Sequence, residues 1–358
     1  MRLLEPFTFR TGTTAPNRVA LAAMTNGQSH PDGTLGDAEL HWLRARAAGG
    51  FGIVTTCAAH VAPDGQGWSG ELGVFADGHV PGLAAIAAMS HAHGALAMVQ
   101  LFHGGLRADP ALTLTRPWSA SEAPDGAYRA ATEEDLARVV DDFARAAERA
   151  RAAGMDGVEI HGAHGYLLTQ FLSAVENRRT DAWGGPLEHR ARLIRDVTRA
   201  VRARVGAPFV VGVRLSPEDF GNAKGLDLDE SLAVARWLCD DGVDFVHLSL
   251  WDVSRTTAKR PHEHALQAFR GVVPADVRLL VAGKIWTLAD AMRVLDLGAD
   301  AIALGRAAIA NPDWPRRVAD PAWTPRRPPL SAQELEERGL SPGFVAYMRK
   351  WKDFVLPA

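Results

Sequence analysis

The chain has 358 residues, which is enough for one large α/β domain or two small ones. Hydrophobic residues make up 47% of it and charged residues 23%, the ordinary composition of a globular protein. The net charge of −3 excludes the strongly basic surface of a protein that binds nucleic acid or an anionic membrane, and no apolar run reaches the length of a membrane span.

The cysteines and the first residues indicate where the protein works. Cys57 and Cys239 are the only cysteines, and they lie too far apart in sequence to form a metal-binding spacing. The opening Met-Arg-Leu-Leu-Glu-Pro lacks the apolar core of a signal peptide. We therefore expect a cytoplasmic protein without disulfides.

Short apolar runs alternate with longer helical patterns along the chain. Each run is almost continuously apolar, as in parallel strands that are buried on both faces. The predicted strands are residues 18–22, 52–56, 97–101, 157–160, 209–214, 245–250, 278–282 and 301–304. Strands that alternate with helices in this number predict a (β/α)₈ TIM barrel. A doubly wound sheet is the alternative, which we favour less because no G-x-G-x-x-G follows the first strand.

The clearest predicted helix covers residues 133–153. Its apolar positions recur every three or four residues, Thr132 and Asp135 resemble a capping box, and Gly154 follows the end. No linker divides the chain, so we predict one domain over residues 1–358, with the barrel at about 15–319 and a tail at 320–358. The tail includes a possible short helix at 341–351, which either joins an interface or folds back on the barrel.

The fourth predicted strand leads into Glu-Ile-His-Gly-Ala-His-Gly-Tyr, residues 159–166. Catalytic groups of such barrels lie at the carboxyl ends of the strands. His161 and His164 can direct two N–H donors at one oxygen, and Tyr166 can give a proton nearby. The segment therefore predicts an enzyme that polarises a carbonyl and protonates a neighbouring atom. Two structural histidines are the alternative.

A metal site is a further alternative for these histidines, with His103 as a third ligand. No carboxylate or cysteine beside them completes a zinc-hydrolase pattern, so we expect no metal and a structural role for His103.

Polar residues also end other predicted strands. Arg214 ends the fifth, where a charge is costly unless it meets an anion, an electron-rich ligand, or an ion-pair partner such as Glu218 or Asp219. Gln100 ends the third, and its amide can donate and accept at once, as a uracil-like ring edge requires. A structural glutamine is as compatible with that position. Trp251 follows the sixth strand, as a candidate wall of a substrate pocket or as a packing residue.

The seventh and eighth strands are followed by paired glycine and basic residues. Gly283-Lys284 and Gly305-Arg306 occupy the loops that hold a phosphate in many barrels. Glycine lets backbone N–H groups approach the ligand, and the basic side chain supplies charge. The two turns together predict a phosphate site, which non-redox barrels also share.

In combination these segments resemble the old yellow enzyme family of FMN-dependent NAD(P)H oxidoreductases, from Leu4 to about Ala319. The most specific matches are residues 161–173, 177–181 and 183–190, and residues 17–25 match the first strand of the family. The chain departs from the family pattern at Ala23, Thr25, Gly27 and Cys57, which changes the substrate pocket and the redox environment. Two cysteines exclude the iron–sulfur centre of larger relatives.

The resemblance implies roles for particular residues. The non-covalent FMN would be bound by Ala22, Ala23, Met24, Thr25, Ala58, Gln100, Arg214, Gly283, Lys284, Gly305 and Arg306. His161 and His164 would hold the oxygen of the substrate, and Tyr166 would be the proton donor.

The resemblance also implies a reaction. NAD(P)H would reduce the flavin and leave, and an α,β-unsaturated carbonyl or nitro compound would then be reduced. Relatives are often dimers or tetramers, so a homo-oligomer is expected. Three alternatives remain open: a flavin enzyme that oxidises C–N or C–C bonds, a flavin-binding sensor or store, and a non-redox phosphate-binding barrel.

Overall fold

Eight parallel strands form a closed barrel in a computed structural model, which describes residues 1–357. They are β1 (Val19–Leu21), β2 (Ile53–His60), β3 (Leu96–Phe102), β4 (Gly157–Gly162), β5 (Val210–Leu215), β6 (Phe245–Ser249), β7 (Arg278–Ala282) and β8 (Ala301–Leu304). Each strand pairs with the next, and β8 pairs with β1 to close the barrel. The predicted TIM barrel is confirmed. β2 is longer than predicted because its last residues, Cys-Ala-Ala-His, carry little of the apolar signal on which the prediction rests.

Helices connect the strands around the outside of the barrel. They are α1 (Asp37–Ala48), α2 (Val80–Ala92), α3 (Glu133–Ala152), α4 (Arg192–Val205), α5 (Leu228–Asp240), α6 (Ala265–Val272), α7 (Leu288–Asp296) and α8 (Arg306–Ala310). The predicted capping box opens α3, since the Thr132 hydroxyl accepts from the Asp135 N–H and the Asp135 carboxylate accepts from the Thr132 N–H. No helix between Met1 and Pro357 is long and apolar enough to cross a membrane.

Short elements complete the structure. Four-residue and six-residue helices lie at Pro110–Thr113, Leu167–Leu172, Leu187–Arg190 and Trp314–Arg317. Single 3₁₀ turns lie at Arg2–Leu4, Pro63–Gly65, Asp77–His79 and Gly105–Arg107. Two-residue strands lie at Phe7–Thr8, Thr14–Ala15, Leu72–Gly73, Trp118–Ser119 and Arg129–Ala130.

Apolar side chains fill the amino-terminal half of the barrel interior. Phe9, from the loop between the first two short strands, packs 5.8 Å from the ring of Phe245. Gly212 of β5 faces that ring, and a Cβ at this position would lie 2.1 Å from it. Because apolar side chains fill the amino-terminal half, the site lies among the polar side chains of the carboxyl-terminal half.

The C-terminal tail folds back on its own barrel. It contains α9 (Ala332–Glu337) and α10 (Pro342–Met348), the latter within the predicted segment 341–351. Phe344 of α10 is fully buried and packs edge-on against Trp42 of α1, with ring centroids 5.0 Å apart. Buried Arg46 joins the two parts by donating to the carbonyl oxygens of Ala308 and Arg338.

Candidate functional site

The carboxyl ends of the strands surround a cavity of about 630 Å³. This is the size of a pocket that binds a small molecule or cofactor. Every residue that the sequence assigned to the site lies in its wall: Ala22, Ala23, Met24, Thr25, Ala58, Gln100, His161, His164, Tyr166, Arg214, Trp251, Gly283, Lys284, Gly305 and Arg306. Their individual roles stay predictions.

The two histidines form an uncharged pair. His161 Nε2 lies 3.3 Å from His164 Nδ1, and His164 Nε2 lies 2.7 Å from the Ser249 hydroxyl. Burial, with the charge of Arg214 nearby, lowers the pKa of both imidazoles well below the usual value, so both are neutral at pH 7. Neutral imidazoles can each present one N–H to a carbonyl oxygen.

A left-handed turn brings the histidines together. His164 has φ +64°, and Gly165 follows with φ +76°. A Cβ at Gly165 would lie 2.2 Å from the carbonyl oxygen of Asn222, so only glycine fits there. Gly165 therefore permits the turn that follows the histidine pair.

Tyr166 lies beside this pair in an aromatic setting. Its ring centroid is 4.5 Å from that of Phe102 and 5.2 Å from that of His161, with Trp68 at 6.5 Å. Burial raises the pKa of the Tyr166 phenol, so it keeps its proton at neutral pH and can donate it.

Arg214 reaches the cavity without an acidic partner on its own loop. Its Nη1 donates to the Ala23 carbonyl oxygen at 3.2 Å and its Nη2 to the Ser249 hydroxyl at 3.2 Å. The ion pair with Glu218 or Asp219 does not form: Glu218 instead accepts from the backbone of residues 258 and 259, and Asp219 from that of residue 226. Within the described residues, the buried Nε of Arg214 has no hydrogen-bond partner, as expected of a group that awaits a ligand.

A buried carboxylate, Glu159, supports Arg214 and Gln100. Glu159 accepts from Gln100 Nε2 at 2.6 Å and from His247 Nδ1 at 2.7 Å. Burial alone would raise the pKa of Glu159, but His247, Arg214 and the Gln100 amide together hold it below the usual value. The carboxylate therefore stays charged and orients the amide of Gln100.

Two cations stand at the other end of the cavity. Lys284 has φ +48° and its Nζ lies 3.0 Å from Asp252 Oδ2, while the guanidinium carbon of Arg306 lies 5.3 Å from the Trp251 ring centroid. A Cβ at Gly283 would lie 2.4 Å from the Leu250 carbonyl oxygen. The turn therefore requires glycine and carries charge, as a phosphate site does.

These donors fit FMN. The cations at one end suit its phosphate, and the amide of Gln100 with the unpartnered Nε of Arg214 suits the polar edge of its ring.

His103 takes no part in this site. Its Nδ1 accepts from the Gly105 N–H at 3.1 Å, and its Nε2 lies 3.5 Å from Asp64. The expected structural role is therefore consistent with its contacts. Across residues 1–357, no group of three His, Cys, Asp or Glu side chains could hold a metal ion.

The cavity wall also contains residues that the sequence did not indicate, among them Trp68, Arg107, Ser249 and Tyr347. Ser249 carried a signal, since it is a hydroxyl at the end of an apolar strand. Trp68 and Tyr347 reach the cavity from a long loop and from the tail, where no periodicity predicts a side chain's direction.

Comparison with known proteins gives one family. The model of the NADH:flavin oxidoreductase / NADH oxidase family matches residues 2–322. The chain is 37% identical over 329 residues to a probable NADH-dependent flavin oxidoreductase of Bacillus subtilis, covering 89% of this chain and 88% of the relative. It is 33% identical over 331 residues to an NADPH dehydrogenase of Bacillus licheniformis, covering 89% and 94%.

Solved structures agree with these sequences. The old yellow enzyme homologue of Zymomonas mobilis superimposes with a TM-score of 0.83 at 29% identity, over 97% of this chain and 99% of the other. Morphinone reductase superimposes with a TM-score of 0.80 at 29% identity, over 93% and 92%.

Proposed function

The chain belongs to the NADH:flavin oxidoreductase / NADH oxidase family, that of the old yellow enzymes, and from this premise we propose that it is an ene reductase. Members of the family use FMN with NAD(P)H as the reductant, so the protein is an FMN-dependent oxidoreductase. A non-redox barrel is thereby left without support. The proposed substrates are activated alkenes, namely α,β-unsaturated carbonyl or nitro compounds.

One observation carries the proposal: an uncharged histidine pair lies beside a protonated tyrosine in a single cavity. When bound, FMN would supply the redox chemistry, which is hydride transfer from NAD(P)H to the alkene. Lys284 and Arg306 would hold its phosphate, with Gln100 and Arg214 at the polar edge of the ring.

The protein's own side chains would polarise and protonate the substrate. His161 and His164 would donate to the oxygen of the substrate and withdraw electron density from the alkene. Tyr166 would give its hydroxyl proton to the α-carbon. Trp251, 42% exposed at the rim, would wall the substrate side of the cavity.

Anaerobic spectroscopy tests this function. Flavin bands that bleach with NADPH and return with 2-cyclohexenone are the expected result. Bands that bleach and do not return with any enone or nitroalkene would contradict the ene-reductase proposal and favour an oxidase or dehydrogenase of C–N or C–C bonds. Flavin bands that NADPH does not bleach would favour a sensor or store.

The Tyr166→Phe variant tests the proton donor. We expect alkene reduction to slow roughly 10²–10⁴-fold, the usual contribution of a general acid, with flavin reduction by NADPH unchanged. Stopped-flow absorbance separates the two half-reactions, and Tyr128→Phe, outside the cavity, is the matched control. An equal loss in both half-reactions would count against the role.

A homo-oligomer, a cytoplasmic location and a single domain that includes the tail also stay predictions. Packing of Phe344 against Trp42 supports the single domain. Light scattering after size exclusion would measure the oligomeric state.

A further inference from the structure

Arg107 is a cation in the cavity wall that the proposed reaction leaves without a task. It ends the 3₁₀ turn after β3, and it is not charge-paired: no carboxylate of the described residues lies within ion-pair distance of it. Its guanidinium carbon lies 4.2 Å from the centroid of the Tyr166 ring, and its Nη1 donates to the His164 carbonyl oxygen at 2.9 Å. Arg107 thus contacts both the proposed proton donor and the histidine turn.

A buried amide fixes this arrangement. Gln170 accepts from the Leu106 N–H at 3.1 Å and donates to the Gly165 carbonyl oxygen at 3.0 Å, so it ties the Arg107 turn to the residue before Tyr166. A Cβ at Gly105 would lie 2.1 Å from the Gln170 side chain. Gln170 therefore fixes both the turn that carries Arg107 and the residue before Tyr166, so it holds the guanidinium over the phenol ring.

The other groups around Tyr166 supply no positive charge. His161 and His164 are neutral, because burial lowers the pKa of each. Glu71 is a buried carboxyl whose pKa burial raises, and Tyr347 contributes a second phenol, so neither adds positive charge. Trp68 and Phe102 are apolar, so Arg107 is the charge that acts on the ring.

We propose that Arg107 is a positioning residue for proton transfer, whose guanidinium stabilises the phenolate that Tyr166 becomes. The inference rests on the proposed function. In the step, hydride adds to the β-carbon and the electron pair of the alkene π bond forms a C–H bond at the α-carbon with the Tyr166 proton, while the pair of the broken O–H bond remains on the phenolate. The phenolate then recovers a proton from water. A cation over the ring stabilises the phenolate that this transfer produces. Flavin reduction involves no such phenolate, so it should be unaffected.

A spectroscopic titration tests the inference without turnover. The chain has only three tyrosines, so the near-ultraviolet phenolate band of the holoprotein can be assigned to Tyr166 by its absence in Tyr166→Phe. We expect Arg107→Met to raise the pKa of Tyr166 by about one unit, and Arg107→Lys to raise it less, because the lysine keeps the charge. An unchanged midpoint in Arg107→Met would overturn the proposal.

Kinetics give an independent measurement. In Arg107→Met, reduction of 2-cyclohexenone should slow about tenfold at neutral pH, with the alkaline limb of its pH profile moved upward and flavin reduction by NADPH unchanged. In a Tyr166→Phe background the same change should cost nothing further. Arg145→Met, on the outer face of α3, is the matched control, and FMN content is read from the visible spectrum of each variant.

Other outcomes have distinct meanings. Multiplicative losses in the double variant would overturn the proposal, since Arg107 would then act apart from Tyr166. A higher KM confined to unsaturated carboxylates, with an unmoved titration midpoint, would instead make Arg107 a substrate-binding group. If the parent protein reduces no enone, the proposed function fails, while the titration still decides whether Arg107 acts on Tyr166.

Discussion

Glu159 shows how one residue can support several others in this site. It is 4% exposed, and it holds Gln100 and His247 by hydrogen bonds while its charge faces Arg214. Removing one member of a buried charged group leaves the others uncompensated, which costs far more than the group as a whole contributes. The side chains of Gln100, Arg214 and His247 therefore depend on this carboxylate.

Glu159→Leu should destabilise the protein by about 3–5 kcal/mol, because Arg214 would become an uncompensated buried charge. Urea unfolding followed by fluorescence measures this free energy, and FMN should be lost at a lower urea concentration. Glu188→Leu, which removes an exposed carboxylate, is the control. If Glu159→Leu costs no more free energy of unfolding than Glu188→Leu, Glu159 is dispensable for stability.

At the scale of elements, the tail helix α10 closes one side of the cavity. Tyr347 and Met348 line the cavity, whereas Phe344 anchors the helix on α1. The anchor is apolar and fully buried, so the stability of this element depends on packing rather than on charge.

Phe344→Ala should loosen the tail before the barrel. Truncation of a buried phenylalanine costs about 3–5 kcal/mol, which raises the population of the undocked tail by up to roughly 10²–10⁴-fold. Trypsin should then cleave faster after Arg338, whose side chain is bonded to the Ala310 carbonyl oxygen in the docked state. Leu356→Ala, at a 40% exposed tail position, should leave the cleavage rate unchanged. Equal rates in the two variants would refute the anchor.

The whole molecule carries several buried histidines whose pKa burial lowers in the folded protein. Burial, with His79 nearby, lowers the pKa of His60 to about 3, and burial also lowers the pKa of His161, His164 and His247. Below pH about 6.5 these histidines bind protons in the unfolded chain but not in the folded protein. The free energy of unfolding therefore falls as the pH falls. Burial raises the pKa of Glu71 and Asp142, which act oppositely, whereas His264 adds to the histidines whose pKa burial lowers.

We therefore expect the free energy of unfolding to be lower at pH 5 than at pH 7. His60→Gln should reduce this difference by up to about 1.4 kcal/mol for each pH unit below the pKa of an unfolded histidine. Urea unfolding at the two pH values measures it. His93→Gln removes an exposed histidine and should leave the difference unchanged. A larger difference in His60→Gln would mean that His60 is charged in the folded protein.

The barrel and most of its site follow from local sequence, because each signal is carried by a few adjacent residues. Apolar runs mark the strands, and polar residues such as Gln100 and Arg214 mark the strand ends, which all meet at one edge of a parallel barrel. Residues 161–173, 177–181 and 183–190 carry the most specific part of the family resemblance.

Contacts between distant segments were decided only by the tertiary structure. The Glu159–His247 pair joins β4 and β6 inside the barrel, the guanidinium of Arg107 stacks on a ring 59 residues further along the chain, and the tail helix lines one side of the cavity. No periodicity encodes these contacts, since they depend on barrel closure and loop path. The sequence by itself determined the strand-end residues that line the site, because each stands next to its own apolar run, whereas the packed structure added the residues from loops and tail and determined which of them touch.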